Sequence, residues 1–161
     1  MRLALAAALS VVCVAAPAAA DWQYTKWGST PEQVIAASGG SARAVQGTPA
    51  QQVWGSDLRA EGTYTAGGFD FTSRFFFDPA NRLSVVKLPL IDTSRCEQLR
   101  ETVSGLYGQP IEGNANSDSM LWSDVKANNL VRFSSFGAAG KAKAECFVIY
   151  RPILSGGGNG L

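Results

Sequence analysis

The chain contains no histidine. That removes the commonest general base and the usual partner of a nucleophilic serine or cysteine. With only three cysteines, it also leaves no ordinary zinc ligand set. Charge of either sign is in no excess: 14 lysines and arginines face 13 aspartates and glutamates, for a net charge of +1. Such a balance gives no long-range pull toward nucleic acid or an anionic membrane. No Gly-x-Gly-x-x-Gly or phosphate-loop pattern occurs, and Gly39-Gly40 and Gly67-Gly68 read as a helix stop and a hairpin turn. The expectation is therefore a chain without catalytic, metal or cofactor-binding residues.

What is there begins with a leader. Met1-Arg2 opens positive, Leu3 to Ala16 is nearly all apolar, and Ala18-Ala19-Ala20 supplies the small-x-small pattern that signal peptidase reads. Residues 1–20 are expected to be removed between Ala20 and Asp21, taking Cys13 with them. The apolar stretch is shorter than the roughly 20 residues that span a bilayer, and no later segment is apolar enough to do so. The export reading places the remainder in the periplasm or the medium, with no membrane insertion after cleavage. Loss of Arg2 leaves 13 basic against 13 acidic groups. Residues 21–154 suit one domain, and the glycine-rich 155–161 reads as a flexible tail.

Two cysteines, Cys96 and Cys146, remain after cleavage. In an oxidising compartment an even pair is more often bridged than free. Both fall on apolar faces: Cys96 with Leu99, Val103 and Leu106 at helical spacing, and Cys146 with Ala142, Ala144, Val148 and Tyr150 on alternate strand positions. A bond between them would pin a helix to the sheet.

The pattern predicts an α+β fold, an antiparallel sheet with helices on one face. Thr30-Pro31-Glu32-Gln33 forms a capping box, opening a first helix that Gly39-Gly40 stops. A further helical turn is expected over 42–45. Residues 51–65 read as one long or interrupted strand, followed by the Gly67-Gly68 hairpin. From 69 to 77 the odd positions carry Phe69, Phe71, Ser73, Phe75 and Phe77, an aromatic face opposite a mostly wet one. Asp78-Pro79-Ala80-Asn81 turns the chain into a strand over 83–88. Ser94 and Glu97 suggest a second capping box and helix, stopped by Gly108 and Pro110. Strands follow over 120–125, 130–136 and 142–150, with turns at 127–129 and 137–141.

Each half thus reads as helix then three strands, about 21–91 and 92–154. Trp54 and Trp122 mark the first strand of each. Val85 to Ile91 matches Val148 to Leu154 at an offset of 63, computed as 148 minus 85. These parallels suggest a tandem duplication of an αβββ unit.

Few residues invite chemistry. Lys26, Lys87, Lys126, Lys141 and Lys143 lie in no Ser-x-x-Lys context, and the carboxylate pairs Asp57-Glu61 and Asp118-Asp124 read as solvated charge. The aromatics carry more functional colour. Trp22 and Tyr24 crowd the new N-terminus and Phe76 sits on the wet strand face, making these three the candidate contact residues. Packing on the core is the competing reading, and the stronger one for Trp27 and Trp22.

Trp27-Gly28-Ser29-Thr30-Pro31-Glu32-Gln33-Val34, the Phe69-Asp70-Phe71 strand, Leu106-Tyr107-Gly108-Gln109-Pro110 and the 146–152 strand together resemble small exported bacterial proteins without a characterised role. At fold level the αβββ plan is similar to the β-lactamase-inhibitor-like group, which includes inhibitors and the small lipoproteins of outer-membrane assembly. That resemblance implies a protein-binding, non-enzymatic role. The chain departs from the lipoproteins in lacking a lipid-attachment cysteine, and shows no inhibitory loop, so fold alone is carried over. The favoured reading is a non-catalytic module binding another envelope protein. A carrier or sensor of a small apolar ligand, held between helix and Phe-rich sheet, and a hydrolase with an unfamiliar site stand beside it. Nothing in the residues fixes an oligomeric state.

Overall fold

A computed structural model describes residues 22–137 and 145–153. The leader, the tail and most of the turn placed at 137–141 lie outside the described residues, as do positions 142–144 of the last strand.

The fold is α+β: seven strands form one antiparallel sheet in the order β1-β2-β3-β4-β7-β6-β5. Helix α1 (Pro31–Ala37) starts as expected. Thr30 Oγ1 accepts from the Gln33 backbone N–H, and the Gln33 side chain accepts from the Thr30 backbone N–H. The stretch read as a helical turn is instead β1 (Ala42–Ala44), paired with β2 at Arg43↔Glu61. Alanine's helix propensity loses there to three rungs of ladder along an existing strand. Strand β2 (Asp57–Ala66) begins later than the expected 51, because Pro49–Gln51 is a 3-10 turn and Val53 to Ser56 closes a tight bend. Gly67 and Gly68, at φ +57° and +77°, then join β2 to β3 (Phe69–Phe77) as a two-residue hairpin needs.

Strand β4 (Leu83–Pro89) pairs with β3 on one side and β7 on the other. Helix α2 (Cys96–Tyr107) follows a 3-10 turn over Thr93–Arg95. The expected Ser94–Glu97 box does not form, and the α2 N-cap is Arg95. Asp92 instead caps the 3-10 turn, accepting from the Ser94 backbone N–H and hydroxyl, which holds its carboxyl below the usual range. Glu97 instead pairs with Arg100 one turn on. Strands β5 (Ser119–Asp124), β6 (Asn129–Phe136) and β7 (Glu145–Pro152) complete the sheet.

Alternation gives the sheet two unlike faces. The inner face carries Phe69, Phe71, Phe75 and Phe77 of β3, Val86 and Leu88 of β4, Val148 of β7, Val131 and Phe133 of β6, and Met120 and Trp122 of β5, all in one buried cluster. Val34 of α1 and Leu99 and Val103 of α2 join the same cluster. Leu106, expected on the apolar side of α2, is 74% exposed, and Tyr107 packs on the core in its place. A bulge between Leu58 and Ala60 turns those two residues to opposite faces.

The disulfide forms between Cys96 at the start of α2 and Cys146 on β7, with Cα atoms 5.8 Å apart. It ties helix to sheet as the two apolar faces suggested. The aromatic strand likewise faces inward as read.

The duplication is a different matter. Trp122 is buried in β5, but its proposed counterpart Trp54 lies in the bend before β2 and is 59% exposed. The third strands do meet at the sheet centre, with Leu88 opposite Val148. Yet Val85 belongs to the outer cluster and its sequence counterpart Val148 to the inner one, so the matched segments present different faces. Each half has a helix followed by strands, four in the first half and three in the second.

Candidate functional site: the outer face of the sheet

The outer face holds a much smaller cluster: Leu58, Phe76, Val85, Phe147 and Ile149. Residues 45–56 cover part of it. Val45 and Gly47 donate backbone N–H groups to Arg59 and Leu58 carbonyls, and Val45 and Val53 pack on the cluster. Ser56 and Ser84 hydroxyls meet at 2.8 Å beside it. Phe76, expected as a contact aromatic, is 2% exposed beneath this covering. The strand-face reading was right for Phe76, but a loop takes the place of solvent.

Beyond that loop the face opens into a groove of about 430 Å³. Phe147 and Ile149 of β7 form its floor, with Ser119 and Ser134 at one side, and Trp54 and Phe136 stand at its ends. Phe136 is 60% exposed, its ring 5.7 Å from that of Phe147. Arg151 places its guanidinium 5.2 Å from the Trp54 ring centre, and Lys87 Nζ lies 3.8 Å from that of Phe147. Arg132 donates to Ser119 Oγ and to Glu112 Oε2, each at 2.9 Å.

The cations follow from register. One rank crosses every strand of the sheet: Arg43, Glu61, Arg74, Lys87, Ile149, Arg132 and Leu121 stand opposite one another in turn. Arg74 directly faces Lys87, a like-charge juxtaposition that costs a few tenths of a kcal/mol or more. Glu61 lies 3.0 Å from Arg74 Nε and Glu145 lies 3.4 Å from Lys87, which offsets part of that repulsion. A band of ion-paired basic and acidic side chains therefore runs into an aromatic groove.

Trp54 has an unusual backbone, with φ +48° followed by Gly55 at +78°. A bulky side chain in the left-handed region costs on the order of 1–2 kcal/mol. Asn81 and Asn128, also at positive φ, occupy that region with far less penalty. A large aromatic is thus held at a strained bend and left open to solvent.

The other aromatics named from sequence sit elsewhere. Trp22 is 3% exposed and inside the inner cluster, its ring 5.6 Å from Phe75, so its side chain is packed in the core. Tyr24 is half-buried against the same cluster, and burial raises its phenol pKa. Trp27 also packs there, donating its indole N–H to Asn129 Oδ1 at 2.9 Å. Neither Trp22 nor Phe76 joins the open groove. Trp54 and Phe136 were missed, although Trp54-Gly55 is a turn-like pair and Phe136 directly precedes Gly137 at a strand end.

Among the described residues the titratable candidates are dispersed; Lys141 and Lys143 lie outside them. Asp57 accepts from Gln52 and Arg59, which lowers its pKa, and Glu61 serves Arg74 and Arg43. Among the described residues, no three Cys, Asp or Glu side chains gather where a metal ion could be held, and no helix is long and apolar enough to cross a membrane. No family model, curated protein or solved structure matches the chain.

Proposed function

We propose that this chain is an exported, non-catalytic module that binds another envelope protein through the outer face of its sheet. The observation that carries the reading is Trp54: exposed, held at a left-handed φ, and flanked by Arg151. Strain concentrated at an exposed aromatic supports a binding role for it, since aromatics and arginines dominate interface energetics. Lys87, Arg132 and Arg151 around the groove favour a partner segment that offers an apolar side chain flanked by carboxylates. The signal-like leader and the Cys96–Cys146 bond support export, and N-terminal sequencing of secreted protein is expected to begin at Asp21. The likeness to the β-lactamase-inhibitor-like group stays a fold-level proposal, supported by the αβββ order of the second half; the first half carries the extra strand β1.

Trp54→Asn separates binding from folding. Asparagine accepts the left-handed backbone, so stability is expected to hold or rise by up to about 1 kcal/mol. Binding to the partner, read by co-purification after crosslinking in intact cells, is expected to fall at least tenfold. A variant that binds as well as the parent would refute the assignment of this face.

A further inference from the structure

A second, separate site lies on the inner face. The two sheet edges are poor candidates: Ile111 and Glu112 already hydrogen-bond Leu121 on the open side of β5, and β1 is three residues long. Beneath the C-terminal half of α2, however, the packing leaves a cleft of about 210 Å³. Its walls are Leu99 and Val103 of α2 against Phe71, Leu88 and Val148 of the sheet, and Leu106 stands at the rim. The disulfide fixes the opposite end of the helix, so the cleft sits where α2 is held by side-chain packing.

Two properties define what fits. The cleft exceeds the roughly 150 Å³ of an apolar cavity known to accept benzene, and falls short of the 300 Å³ at which drug-sized pockets begin. Its polar equipment is neutral: Tyr64, Tyr107 and Tyr150 line it, and among the described residues no charged side chain does. Burial raises all three phenol pKa values, so they stay protonated. The Tyr107 and Tyr150 hydroxyls meet at 3.5 Å. One contact between two hydroxyls consumes one O–H donor and leaves the other for a ligand.

We propose that the cleft under α2 binds a neutral, monocyclic or small bicyclic molecule that accepts a hydrogen bond from the Tyr107–Tyr150 pair. Charged analogues are disfavoured because the lining, whose polar groups include Gln23, Thr102 and the tyrosines, holds no opposite charge to offset their desolvation. The proposal does not depend on the outer face.

Methyl-detected NMR titration of the oxidised protein tests it, with benzyl alcohol, toluene and benzoate as probes. Benzyl alcohol is expected to shift the Leu99, Val103 and Val148 methyl signals in a saturable way. Toluene, lacking the acceptor, is expected to bind about tenfold more weakly, and benzoate not at all. The double variant Tyr107→Phe with Tyr150→Phe, which removes both hydroxyls, should bring benzyl alcohol down to the affinity of toluene. Val103→Phe should fill the cleft and abolish binding, and Leu106→Trp, an exposed rim change that leaves the core intact, should weaken it. Absence of saturable shifts with benzyl alcohol, equal binding of benzoate, or unchanged affinity in both Leu106→Trp and the double tyrosine variant would overturn the proposal.

Discussion

The two faces of the sheet are built to different standards. Among the described residues, the inner face gathers twenty buried side chains from both helices, from the N-terminal segment and from all seven strands into one body. The outer face buries five, roofs part of them with residues 45–56, and leaves the rest as an open aromatic groove crossed by cations. Burial of apolar surface is the dominant favourable term in folding. The inner face supplies most of it, so the outer face can tolerate what a core cannot: a tryptophan at positive φ and an arginine opposite a lysine. On the proposal above, partner recognition falls on the side of the layer opposite the main core.

That contrast can be broken most sharply in the core. Phe75→Ala on the inner face, where the ring is fully buried, is expected to cost about 3–5 kcal/mol in urea unfolding. Phe136→Ala at the groove is expected to stay within about 0.5 kcal/mol of the parent. Comparable losses at the two sites would erase the distinction. Removing the bond with Cys96→Ala and Cys146→Ala should cost up to about 4 kcal/mol, from the chain entropy of a 50-residue separation.

The tyrosines sharpen the comparison by pH. Burial raises the Tyr150 pKa above its ordinary 10.0, so the folded state holds the phenolic proton more tightly than the unfolded chain. This contribution is fully present below pH 10.0 and declines as pH rises beyond it, by at most about 1.4 kcal/mol per pH unit. Tyr150→Phe should flatten the alkaline limb of a stability profile measured between pH 8 and about 11. An unchanged slope would contradict the assigned burial.

The smallest expected effect concerns Ser73. Its hydroxyl is buried among the inner phenylalanines, and within the described residues it has no hydrogen-bond partner. Ser73→Ala removes an unsatisfied polar group and should leave stability unchanged or raise it by up to about 1 kcal/mol. A loss above 1 kcal/mol would mean the hydroxyl is in fact bonded.

Much of this architecture was legible where local chemistry and burial agree. The Thr30 cap, the Gly67-Gly68 hairpin, the aromatic alternation of 69–77 and the facing of both cysteines need only short-range rules. The misreadings share a cause: each depended on what lies across space. Ala42–Ala44 is a strand because β2 offers a ladder, and Phe76 is buried because a loop distant in sequence folds over it. Sequence likeness between apolar strands carries no face label, and Val85 and Val148, matched at the offset of 63, lie on opposite faces. The groove escaped notice because Trp54, Phe136, Arg132 and Arg151 come from a bend and two strands that periodicity cannot bring together.

Photocrosslinking in living cells tests the central claim most directly, using a photoreactive residue at position 54, at 136, or at 101 on the exposed side of α2. Discrete protein adducts from 54 and 136, absent from 101 and lost when Arg132 and Arg151 are changed to glutamate, are the predicted result. Adducts that form equally from 101, or that survive the charge reversal, would contradict the assignment of recognition to the outer face.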